Sequence, residues 1–225
     1  TTTSAGKFSV EQTATIDASH VYASSGSFYQ AVNIASCARG NSSSYSFFLG
    51  ISSRPSINTN GGQDIEFKMR GDGNAYADGS WSGGGADYAE YFEWADSNAS
   101  EEDRRGYSVV LDGNKIRIAT EQDDTNNIIG VISGNPSVIG DNDMGNWKQK
   151  YLKDDFGTYI RDEEGERILN PDYNADYEYL SREDRKEWDI VGLMGKLRIR
   201  NGQPVKSSWI KMRDISESVS EWLVR

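Results

Sequence analysis

Three carboxylates fall within seven residues of this 225-residue chain: Asp87, Glu90 and Glu93, just after the run Gly83-Gly84-Gly85. Ser80 and Ser82 flank Trp81 immediately before the glycines. Hydrolysis of an amide by carboxylates needs one group to activate water or a hydroxyl as base. Another must protonate the leaving nitrogen. Two carboxyl groups held close together drive one pKa upward, which supplies that acid. On a strand, alternate side chains leave opposite faces, so at most two of the three acids point at one site unless Asp87 precedes the strand. The Ser82 hydroxyl offers a second chemistry: at a strained peptide, a hydroxyl attacks the preceding carbonyl and shifts the acyl group from nitrogen to oxygen. Each feature also has a bland reading. An acidic strand face is usually solvated, and loop serines with no neighbouring His are usually only that. The triple glycine is either a flexible linker or a strained, exposed cleavage loop.

Other chemistries find little support. The chain holds one cysteine and one histidine, too few for a zinc site built from those residues, and no internal disulfide is possible. Cys37, in AVNIASCARG, reads as a buried structural thiol. Asp141-Asn142-Asp143 lacks the rest of a calcium loop, Arg70-Gly71-Asp72 is a chance tripeptide, and no phosphate or dinucleotide loop is present. Neither metal nor cofactor is expected. The net charge of −11 and pI of 4.6 argue against a nucleic-acid partner. No stretch approaches the roughly 18 apolar residues of a membrane span, and no leader is visible. The first residue is Thr, so a fragment of a longer protein is expected.

The elements that must position the acids read as strands. Tyr88, Glu90, Phe92 and Trp94 alternate with Ala89, Tyr91 and Glu93. Further strands are predicted at 107–111, 115–120, 128–133, 157–161 and from 191, with Asp112-Gly113 turning between the first two. IIGVISG and IVGLMGKL look alike, a weak sign of internal duplication. Residues 141–185 read as long polar loops, with a short helix around 181–188 capped by Ser181. Ile215, Val219 and Leu223 predict a small amphipathic helix.

Residues 1–82 have a different habit. They carry a net charge of only −1, leaving −10 for the remainder, and are rich in Ser, Gly, Ala, Thr and Asn. HVYASSGSFYQAVNIASCARG and SYSFFLGISS read as short strands, Asn60-Gly61 as a turn and DIEFKMRGDGNAYADGSW as a hairpin. So little apolar mass must offset roughly 1–2 kcal/mol of backbone entropy per ordered residue. Interdigitation with identical chains would solve this; an ordinary Ser/Gly-rich β domain is the alternative.

GADYAEYFEW at 85–94, then EDRRGYSVVLDGNKIRIA, IIGVISGNPSVIGD and REDRKEWDIVGLMGKLRIR, occur as separated motifs in one order. Together they resemble the autoproteolytic intramolecular-chaperone domain of phage tail spikes and neck appendages, over about residues 72 to 213. The resemblance implies a mainly β fold with a few short helices, assembled as a homotrimer. Residues 1–82 would be the intertwined end or tip of a β-helical spike, and 83–225 a compact β-rich chaperone domain. It implies a self-cleaving peptidase of glutamic type with its acids just downstream of the cut. Asp87 and Glu90 are the first choices, Glu93 the third, with the bond near Ser82-Gly83. The implied partners are two further copies and the upstream spike. The implied location is the virion tail or neck appendage, or the host bacterial cytoplasm during assembly. A rival reading is a non-cleaving tip that binds host cell-wall glycan through the six Trp and twelve Tyr side chains. A glycan-cutting enzyme using the same acids ranks last.

Overall fold

The computed structural model describes residues 19, 21–28, 31–53, 64–143, 149–176 and 178–225. The expected Asn60-Gly61 turn and His20 lie outside them. The chain forms two compact units, Thr1–Trp81 with Leu152–Ile168, and Ser82–Tyr151 with Leu169–Arg225.

In the first unit, β1 (Ser46–Ser52), β2 (Asp64–Arg70) and β3 (Ala75–Ala77) pair antiparallel in that order. The expected hairpin is β2–β3, turned through Gly73 at φ 86°. Alternation sets Ile65, Phe67 and Met69 on one face of β2. That face stays 40–42% exposed, because no described residue of this unit packs over it. The strand expected across 20–40 does not form among the described residues, and Cys37 is exposed rather than buried. Among the described residues its small-residue segment meets no apolar layer.

Leu152–Ile168 is a finger of two tight turns rather than an open loop. Asp154 Oδ1 accepts the N–H groups of Phe156 and Thr158, at 3.0 and 2.8 Å. Asp162 Oδ1 accepts from Glu166 N at 2.8 Å. Gly157 and Gly165 follow at φ 82° and 84°. The pattern Asp-x-x-Gly, repeated eight residues apart, marks both turns. Where a strand was expected at 157–161, only the isolated bridges Lys153↔Tyr159 and Arg161↔Arg167 form.

The second unit is one sheet of β4 (Asp87–Glu93), β5 (Ser108–Asp112), β6 (Lys115–Ile118), β7 (Ile128–Ile132), β8 (Val138–Gly140), β9 (Trp188–Arg200), β10 (Ile210–Asp214) and β11 (Val219–Val224). Its order is β10-β11-β9-β7-β5-β6, while β4 joins β9 antiparallel and β8 parallel. The β5–β6 turn centres on Gly113-Asn114, one residue later than read, with Gly113 at φ 63°. Adjacent strand residues point to opposite faces. Val109 and Val110 are both buried and enter different cores, as do Val131 and Ile132. One core gathers Val110, Ile128, Leu197, Ile199, Trp209 and Val224; the other gathers Trp94, Val109, Ile116, Ile132 and Val191. Both faces of the sheet are therefore covered.

Two helix expectations fail. The C-terminal segment is the hairpin β10–β11, because residues 195–200 of β9 offer an edge that β11 satisfies. Around 181–188 only a 3-10 turn, Arg182–Asp184, forms before β9 begins. Ser181 Oγ bonds Asp184 Oδ2 at 2.7 Å, so the capping residues satisfy each other instead of backbone amides.

Candidate active site

Asp87 opens β4, opposite Gly195 of β9. Its side chain turns inward, leaving the residue 5% exposed. Ser133, just after β7, donates its hydroxyl to Asp87 Oδ1 at 3.2 Å, and its own N–H is anchored on Ile190 O at 2.9 Å. Asp87 Oδ2 is buried with no hydrogen-bond partner. Gly192 makes the space: a Cβ there would lie 2.7 Å from Oδ2. Burial pushes the Asp87 carboxyl above the ordinary carboxylate range, and the Ser133 hydrogen bond partly opposes this. A carboxyl so placed keeps its proton to higher pH, the property a general acid needs. It borders an open cleft of about 1020 Å³, lined also by Gly84–Ala86, Gly134, Asn135 and Lys196–Arg198.

The triple glycine is packed rather than loose. A methyl group on Gly83 would overlap Ser137 Oγ, and one on Gly85 would overlap the Pro136–Ser137 backbone; Gly84 faces open space. Neither Gly83 nor Gly85 has positive φ, so close approach is the reason for glycine here. Ser137 N–H donates to Asp87 O at 2.7 Å, continuing into the parallel β4–β8 pairing. Lys196 N–H donates to Ala86 O at 3.2 Å. Gly195, at φ 122°, lets this peptide approach, since a Cβ would stand 2.5 Å from Ala86 O. The glycines in the two look-alike segments also reflect close approach: Gly130 of β7 packs on the Gly192 carbonyl of β9.

The other candidates stand elsewhere along β4. Glu90 lies on the opposite face from Asp87 and accepts the Tyr88 hydroxyl beside Gly140. That hydrogen bond raises the Tyr88 pKa. Glu93, near the far end, pairs with Lys115 at 2.8 Å. Each of the three acids has a different set of neighbours within one chain. Ser82 and Gly83 are exposed. Two residues escaped the sequence reading. Ser133 is 46 positions from the carboxyl it holds. Asp189, which accepts Trp94 Nε1 at 3.3 Å, is raised by desolvation at the other end of β4. Among the described residues no group of three or more His, Cys, Asp or Glu is arranged to hold a metal ion.

The sequence profile of the IMC (intramolecular chaperone) autoproteolytic cleavage domain, Peptidase_G2, matches residues 31–221. The chain belongs to this family. The likeness first read from GADYAEYFEW and the later motifs is thus confirmed and reaches into the first unit. Among relatives of the Peptidase_G2 chain, the pre-neck appendage protein of Bacillus phage B103 is 42% identical over 144 residues, covering 60% of this chain and 16% of that protein. The pre-neck appendage protein of Bacillus phage phi29 is 32% identical over 169 residues, covering 70% and 19%. The crystal structure of the pre-mature bacteriophage phi29 gene product 12 superposes with a TM-score of 0.61 at 25% identity, covering 72% of this chain and 24% of that one. The chain therefore spans less than a quarter of these relatives.

Proposed function

We propose that this Peptidase_G2 chain drives three copies of a phage tail-spike or neck-appendage protein to assemble, then severs its own backbone between residues 82 and 87. In this reading residues 1–82 end the spike and 83–225 form the chaperone that leaves, as part of a virion appendage assembled in the bacterial host. The carrying observation is Asp87: a buried carboxyl with an unpartnered oxygen, joined directly to a segment that Lys196 N–H anchors at Ala86 O and on which Ser137 packs at Gly83 and Gly85.

The chemistry follows from that placement. Asp87, whose carboxyl burial helps to keep protonated, gives its proton to the leaving amide nitrogen. A carboxylate takes a proton from water, whose oxygen bonds the carbonyl carbon as the carbon–nitrogen bond breaks. The products are a new carboxyl group and a new amine. Glu90 faces away from Asp87 on the same strand, so the base is supplied by Glu90, or Glu93, of a second copy. Assembly then precedes cleavage, because a single chain lacks the pair.

Ser82-Gly83 is the first placement of the bond, supported by the seating of Gly83 on Ser137. Ala86-Asp87 is the second. Its carbonyl is polarised by Lys196 N–H and its nitrogen belongs to the acid itself. The aromatic and aliphatic side chains of β1 and β2 that the described residues leave exposed form the surface on which three copies would meet. A glycan-binding tip would use the same aromatics.

Intact-mass spectrometry of the freshly expressed chain, beside Asp87→Asn and Glu90→Gln, tests the proposal. Two fragments whose masses fix the bond are expected from the wild type and neither variant. An intact wild-type trimer after prolonged incubation would overturn it.

A further inference from the structure

The finger Leu152–Ile168 lies downstream of any cut between 82 and 87, yet it is built into the unit formed by Thr1–Trp81. Arg161 Nη1 donates to Asn41 Oδ1 at 3.1 Å and to Asn41 O at 3.5 Å. Arg167 Nη2 donates to Asp72 O at 3.3 Å. The Glu166 carboxylate occupies the space beside Gly40 that a side chain there would fill. Residues 40 and 41 are in turn fixed to the β2–β3 hairpin, since Asn41 Nδ2 donates to Gly71 O at 3.3 Å. The finger thus reads two backbone carbonyls, an amide side chain and a glycine gap, all upstream of the cut.

We infer that the finger is a tether: once the backbone is severed, it keeps the downstream fragment bound to the upstream one. The inference rests on the cut proposed above. Hydrolysis of the peptide and separation of the fragments are then two events. The second requires the finger to withdraw. Its contacts are hydrogen bonds from arginine to neutral acceptors, largely exposed and each worth little alone, so the hold is reversible. The finger is also separable from the sheet that carries it. Its base is closed in the second unit by the antiparallel bridge Tyr151↔Leu169 and by Asn170 N–H on Lys150 O at 2.9 Å. A two-glycine link from Tyr151 to Leu169 replaces it without stretching the chain.

The test uses the full chain with a site-specific protease sequence inserted between the exposed Gly79 and Ser80, so that the cut is made whether or not the protein makes it. Size-exclusion chromatography then asks whether the fragments travel together. Co-elution is expected for the unaltered finger. Fragments of the two-glycine variant are expected to elute apart. Arg161→Ala with Arg167→Ala, which keeps the Asp154 and Asp162 side-chain bonds of the two turns but removes the Arg161 bond to Gly165 O, is expected to weaken fragment association at least tenfold. Fragments that separate with the finger present, or co-elute equally when the arginines are removed, would overturn the tether. A chain that never cuts itself, but whose protease-made fragments co-elute, supports the tether and removes the self-cleavage.

Discussion

At the scale of single residues, the acid, its hydroxyl partner and the neighbouring glycines make separable predictions. Asp87→Asn is expected to slow self-cleavage at least 100-fold, read as fragment against time. Ser133→Ala should lower the maximal rate several-fold and also move the pH profile. The Asp87 pKa lies above its ordinary value, so the protonated acid is lost as pH rises through that elevated pKa. Its hydrogen bond from Ser133 holds the pKa down; without it, the alkaline limb shifts to higher pH. A purely structural defect would lower the rate and leave the limb in place. Gly83→Ala is expected to slow cleavage because the new methyl meets Ser137 Oγ, and adding Ser137→Gly should restore it. Gly84→Ala, pointing into open space, should change the rate by less than about twofold. Failure of the rescue would mean that Ser137 does not seat the segment. Asp87, Glu90 and Glu93 stood out as candidates from their place after the glycines, and of the three Asp87 is the one buried beside that segment. Ser133 did not stand out, because the pairing of β7 with β9, rather than spacing, brings it to Asp87. The role of the glycines was half legible: composition permits either a loose or a tightly packed loop, and only the neighbour at Pro136–Ser137 decides.

At the scale of elements, β9 carries the site. It pairs with β4 over residues 188–195, with β7 at 191–192 and with β11 over 195–200. Gly195 is the residue common to β4 and β11, in a conformation that L side chains rarely adopt. Gly195→Ala should cost about 1–3 kcal/mol and lower the melting temperature, quite apart from its effect on cleavage. Near the other end, Arg104 stacks on Trp94 at 4.4 Å and binds both oxygens of Asp96. That hydrogen bonding lowers the Asp96 pKa from 3.8 to about 2. A depressed carboxylate stabilises the fold fully above its unfolded value and progressively less as pH falls from about 4 towards 2. Arg104→Ala should therefore flatten the acid limb of the melting-temperature profile. Most strands were legible because apolar runs such as SVVL and IIGVI lie between clear turns. The C-terminal hairpin was not. The spacing of Ile215, Val219 and Leu223 suits a helix, and the decisive fact is an open edge of β9 made by residues far away in sequence.

At the scale of the whole molecule, the separation of Asp87 from Glu90 on opposite faces of β4 makes a mixing prediction. Co-assembled Asp87→Asn and Glu90→Gln chains should cut where neither cuts alone, because each supplies the group the other lacks. Light scattering on the same mixture should give the mass of three chains. A mixture that stays intact while trimeric would place the base elsewhere. The order of the strands adds a consequence. Every strand of the larger sheet, from β4 to β11, lies at or after Asp87. A break anywhere in 82–86 removes none of their ladder hydrogen bonds. For that sheet, scission is thermally silent: it melts as the same cooperative block before and after, and its calorimetric transition should not move.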